Sequence, residues 1–151
     1  MMKYFTWHWW MGAGEPSPYD AQDYIHYFSS VRNQLPLTII DLHDNYTLHD
    51  SRLTNFTVDF TKAQVVMYLE GYTPSDRNCS YILTFSEVSQ FITLGHRAKL
   101  PENRTGGKIW FGDLGYYEVE VMKQGYFEIR MIFATGVEIM IEWGKFSFEC
   151  L

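Results

Sequence analysis

Strict alternation of apolar and polar residues runs through the last third of the chain. Tyr117, Val119 and Val121 alternate with Glu118 and Glu120. Phe127, Ile129, Met131 and Phe133 alternate with Glu128 and Arg130, and Val137, Ile139, Ile141 and Trp143 with Glu138 and Glu142. Phe146, Phe148 and Cys150 close the series. A period of two is that of a half-buried strand. Lys123-Gln124-Gly125 and Ala134-Thr135-Gly136 have the composition of three-residue hairpin loops with a left-handed Gly, and Gly144-Lys145 that of a two-residue loop. These lengths set Val121 opposite Phe127, Phe133 opposite Val137 and Trp143 opposite Phe146. The expected result is a C-terminal four-stranded antiparallel meander whose apolar face forms the core.

Upstream, Thr54, Phe56, Val58 and Phe60 predict a strand, as do Val65, Met67 and Leu69, then Tyr81, Leu83 and Phe85. Gly95 to Gly107 reads as a long loop, with Pro101, Asn103 and paired glycines. Nearer the start, Tyr24, Phe28, Val31 and Leu35 fall at helical spacing, with Ser17 as N-cap, Pro18 in the first turn and Asp20 completing a capping box. A helix over about Pro18 to Leu35 follows, stopped by Pro36. Leu37 to Tyr46 lacks a helical period and reads as a short strand or an irregular connector. The expected fold is α+β: an antiparallel sheet of six to eight strands, covered on one face by the N-terminal helix, in a single domain over residues 1–151.

The inferred register has a consequence on the opposite face. Glu120 sits across from Glu128, and Glu128 across from Glu142; Glu118 faces Arg130, with Met140 and Glu149 beyond. Like charges directly opposite destabilise a sheet. Packing alone does not explain such a row, so it reads as a solvated face, as a docking surface for a basic protein, or as a catalytic carboxylate pair, which would need a cleft that an open sheet face does not supply. The residues of that surface are Glu118, Glu120, Glu128, Arg130, Glu138, Glu142 and Glu149. Changing Glu120, Glu128 and Glu142 to Gln is then expected to leave stability unchanged or slightly raised.

Two further groups are candidates. Leu42-His43-Asp44 and Leu48-His49-Asp50 concentrate imidazole and carboxylate, the donor types of a divalent metal site or a metal-dependent hydrolase. Neighbours such as Asn45, Thr47 and Ser51 suggest a structural turn instead. Trp7, Trp9, Trp10, Trp110 and Tyr116 supply flat faces that suit carbohydrate or other planar ligands, or that fill a core.

Composition narrows the field. The chain has 151 residues, 18% of them aromatic, and a net charge of −6. That charge argues against binding a phosphate backbone, and no run approaches the ~18 apolar residues of a membrane span. Cys79 and Cys150 read as free thiols, and the aromatic N-terminal stretch makes a poor export signal. Asn45, Asn55, Asn78 and Asn103 each stand two before a Ser or Thr, but without export that pattern has no chemistry. The expectation is a cytoplasmic, non-enzymatic protein that needs no cofactor.

Met2-Lys3-Tyr4-Phe5-Thr6, followed by a helix and then Leu48-His49-Asp50-Ser51-Arg52-Leu53 leading into a meander, resembles a bacterial family of unknown function. The resemblance implies an α+β fold and carries no activity. Size, acidity and make-up are also similar to those of immunity proteins of bacterial toxin systems, which implies a protein partner.

Overall fold

The computed structural model describes residues 1–12, 18–95, 111–123 and 125–151. Among these residues three α-helices precede eight strands: α1 (Trp7–Met11), α2 (Ala21–Val31), α3 (Leu37–Asn45), β1 (Arg52–Asp59), β2 (Gln64–Tyr72), β3 (Asn78–Ser86), β4 (Gln90–Leu94), β5 (Leu114–Val121), β6 (Phe127–Phe133), β7 (Glu138–Trp143) and β8 (Lys145–Cys150). The fold is α+β, with the strands divided between two antiparallel sheets of order β1-β2-β3-β8 and β4-β7-β6-β5. The sequence suggested one larger sheet with a helix over its face.

The difference lies at Gly144. β5, β6 and β7 form the expected meander, with Gly125 and Gly136 in the left-handed region at φ 78° and 81°. The flank of β7 that β8 was expected to occupy is taken by β4, so β8 leaves for the other sheet and pairs with β3. Phe146 accordingly faces Phe85 in the ladder, although its ring still lies 5.6 Å from that of Trp143. The Gly144 amide donates to the Ser86 carbonyl, and the Ser89 amide to that of Glu142. β3 with β4, and β7 with β8, therefore act as two long bent strands that stay paired while both cross between sheets. Strands that change sheets in this way make the corners of packed sheets. A Cβ at Gly144 would stand 2.5 Å from a Glu87 carboxylate oxygen, so any side chain there would first have to displace Glu87.

Between the sheets, alternation delivers the core. Val65, Met67 and Leu69, then Tyr81, Leu83 and Phe85, meet Ile129, Met131, Ile139, Ile141 and Trp143, all buried. At the far side the Leu114 amide donates to Ser51 and the Asp50 amide to the Leu114 carbonyl, tying the start of β1 to β5.

The helices depart from expectation in two places. α2 starts at Ala21, capped by Asp20 in a reciprocal capping box with Asp23. Ser17, the expected cap, lies outside the described residues, as do residues 96–110 of the expected long loop. The segment after Pro36 is a helix. Pro36 serves as its N-cap residue, and the Ile39 and Leu42 side chains, three apart, form its buried side. Thr38, Ile39 and Ile40 are β-branched and weaken the helical signal.

Cys79 and Cys150 are joined in a disulfide, their Cα atoms 5.5 Å apart, which corrects the expectation of free thiols. They stand near the common end of β3 and β8, brought together by the unforeseen pairing of those strands. No helix of the described residues is long and apolar enough to cross a membrane.

Candidate functional site

The acidic row has the register read from the loops: Glu120 opposite Glu128, Glu128 opposite Glu142, and Glu118 opposite Arg130. Its surroundings differ from an open face. Glu118, Glu128 and Glu138 are 2%, 6% and 8% exposed. The N-terminal segment runs over them. Glu118 accepts the backbone amides of Lys3 and Tyr4, the latter at 2.9 Å, and Glu138 accepts that of Met2 at 2.8 Å. Arg130 supplies the balancing charge, reaching Glu118 at 3.2 Å and Glu120 at 2.6 Å and pairing also with Glu128. Burial opposes the guanidinium charge, but the three carboxylates outweigh it and raise its pKa.

As a candidate docking surface, the row is therefore corrected. Glu118 and Glu138 hold the N-terminal segment in place, because its amides need acceptors once buried, while Glu128 is taken up by its pairing with Arg130. Glu149 belongs to the other sheet, opposite Ile82. Glu120 and Glu142 stay half-buried, on a depression of about 620 Å³ shared with Ser89, Lys123 and Tyr126.

The other two candidate groups converge. His43, at the end of α3, and His49, on the connection to β1, both line a cleft of about 260 Å³. Phe5, Tyr24, Tyr46, Gly115, Tyr116 and Tyr117 complete most of its wall. The His43 ring stacks on Phe28 with centroids 3.9 Å apart, and its Nδ1 lies 3.1 Å from Asp44. Asp44 in turn pairs with Arg32, which holds its carboxyl down to about pKa 2, with help from His43. His49 lies 3.1 Å from Asp50 and edge-on to Tyr116. Each carboxylate thus serves its neighbouring imidazole. Among the described residues no group of three or more His, Cys, Asp or Glu side chains is arranged to hold a metal ion.

The tryptophans form the outer side of the same wall. Trp9 and Trp10 pack edge-on against Tyr116 at 5.2 and 5.5 Å, and Trp7 against Trp10. Trp10 lies directly over Gly115, where a Cβ would meet its ring at 2.3 Å. All three indoles are half-buried, supporting Tyr116 rather than standing free as a platform. Trp110 lies outside the described residues.

Phe5, Tyr24, Tyr46, Gly115 and Tyr117 are wall residues that sequence reading did not single out. Tyr24 was legible only as one residue of a core stripe. Its hydroxyl accepts the Val119 amide at 2.8 Å, closing the free edge of β5, and burial drives its pKa well up against that hydrogen bond. Burial, then the charge of Asp44, raises Tyr117 likewise. Both present neutral phenols at physiological pH.

A profile described as "Protein of unknown function (DUF4085)" matches residues 2–141. The chain belongs to the DUF4085 family. That membership agrees with the expected resemblance to a family of unknown function. No curated protein matches the chain.

Proposed function

We propose that this DUF4085 chain is a non-enzymatic binding protein that takes a small ring-shaped ligand in the aromatic cleft between α2, the α3–β1 connection and β5. The observation that carries this is the convergence of His43 and His49 with Tyr24, Tyr46, Tyr116 and Tyr117 on one cleft. Aromatic walls with a few polar groups are the usual composition of small-ligand sites. At about 260 Å³ the space suits a single sugar or heteroaromatic ring. The two imidazoles offer hydrogen bonds at its rim, and Tyr116 offers a face braced by Trp9 and Trp10. The test is a proton–nitrogen NMR screen of monosaccharides and planar heterocycles. Saturable shifts confined to His43, His49 and Gly115, lost in Tyr116→Ala, support the reading. Absence of such shifts across the panel overturns it.

Docking of a basic protein, as an immunity or regulatory protein would do, is a second reading. Glu120 and Glu142 favour it, being the members of the row that stay half-buried around one depression. Capture that weakens with salt and fails in a Glu120→Gln, Glu142→Gln variant supports it. A partner retained by that variant overturns it.

A further inference from the structure

Lys3 lies on the N-terminal segment, with its backbone amide given to Glu118. Its ammonium is surrounded by aromatic rings. The Nζ atom stands 5.3 Å from the ring centroid of Tyr4, 5.6 Å from that of Tyr19 and 5.9 Å from that of Tyr27. Glu120 closes the arrangement at 3.6 Å. The three tyrosines come from separate places: the N-terminal segment, the residue before the α2 cap, and α2 itself. Tyr4 stacks on Tyr27 and is tilted against Tyr19. Two of the walls are fixed, since Tyr4 is buried and the Tyr27 hydroxyl accepts the Val121 amide at 2.9 Å. Lys3 keeps 36% of its side chain exposed, so the cage opens to solvent.

We propose that Tyr4, Tyr19, Tyr27 and Glu120 form a binding site for methylated ammonium groups, in which Lys3 is a resident occupant that such a ligand displaces. Aromatic faces attract cations through their quadrupole, and cages of this kind recognise quaternary ammonium groups. The dimensions choose among cations. A methyl carbon stands ~1.45 Å from its nitrogen and packs at ~3.5–4.0 Å from ring carbons. A trimethylammonium nitrogen therefore rests roughly 5–5.5 Å from each ring, close to the spacing this cage holds. A primary ammonium has no methyl groups to fill that gap and is strongly hydrated, so it uses the space poorly. The negative end supplied by Glu120 completes the match. Burial opposes the charge of Lys3, but Glu120 and Tyr4 outweigh it and raise its pKa, which shows that the surroundings favour a cation. The site shares no lining residue with the cleft, and either can fail without the other.

The experiment is an NMR titration with tetramethylammonium chloride, against sodium chloride at matched ionic strength. In the wild-type protein, saturable shifts are expected on Tyr4, Tyr19 and Tyr27, together with movement of the Lys3 side-chain resonances as that residue is displaced. In Lys3→Ala, affinity should rise at least about fivefold, because the resident cation is gone. Adding Tyr19→Ala should lower it again by about two- to fivefold, the loss of one exposed cation–π wall. Shifts equal to those from sodium chloride, or shifts centred on Tyr116 and His49 instead, overturn the proposal. Affinity unaltered by Tyr19→Ala overturns it as well.

Discussion

The buried carboxylate of Glu118 accepts the backbone amide of Tyr4, 114 residues earlier in the chain, at 2.9 Å. It also faces Arg130 at 3.2 Å. One side chain thus satisfies the N-terminal segment and half-neutralises a cation. Glu118→Ala should strand both partners and cost ~3–5 kcal/mol, the range for breaking a buried pair from one side. Urea unfolding followed by tryptophan fluorescence measures it. A loss below ~1 kcal/mol would show that water replaces the carboxylate without difficulty.

Glu128 and Glu142 face each other in the sheet and should respond very differently. Glu128 pairs with Arg130 in a buried setting, so Glu128→Gln should cost about 1–3 kcal/mol. Glu142 accepts the Ser89 hydroxyl near the surface, so Glu142→Gln should stay within about 0.5 kcal/mol of wild type. The three central glutamates are therefore expected to differ in how far stability depends on them, with Glu128 buried and paired with Arg130. Thermal melts of the two single variants decide between them.

Gly115→Ala places a methyl group where Trp10 lies. The ring must move outward, at a cost of ~1–3 kcal/mol typical of overpacking. The expected signature is a red-shifted tryptophan emission with weakened protection of α1 amides. Unchanged emission would mean that Trp10 does not rest on β5 in solution.

Asp44 provides a pH test. Its folded-state pKa of about 2 lies below the ordinary ~3.9 of an unfolded Asp. Its contribution to stability is therefore complete above about pH 4 and is lost as pH falls through 2. Carboxyl-carbon NMR should find the low midpoint in wild type and a rise toward ~3.9 in Arg32→Gln. A midpoint that stays low in that variant would assign the shift to His43.

The parts legible in the sequence were those with short-range causes. Gly125 and Gly136 announced their loops, and those loops set Glu120, Glu128 and Glu142 in line. Buried alternation in β2 and β3 was equally plain. What stayed hidden depended on distant partners. Nothing local to Gly144 says that β4 occupies the flank of β7. Nothing near Glu118 says that residues 2–5 will cover it. Likewise His43 and His49 read as turn residues until α3 formed and set both against β5. Their meeting with Tyr24 and Tyr117 required the α2 docking that tertiary packing alone decides.

The strap formed by residues 2–5 also orders events during synthesis. Its anchors, Glu118 and Glu138, are translated more than a hundred residues after it. At ~5–20 residues per second, the segment waits roughly 6–25 s for its acceptors. Until then Tyr4 and Phe5 can meet the Trp9, Tyr24 and Tyr27 rings of α1 and α2, but β5 to β7 must pair before the strap can close over them. Residues 2–5 are made long before the strands that cover them, so a ribosome stalled anywhere before β7 holds a chain in which Tyr4 and Phe5 are still partly open to chaperones.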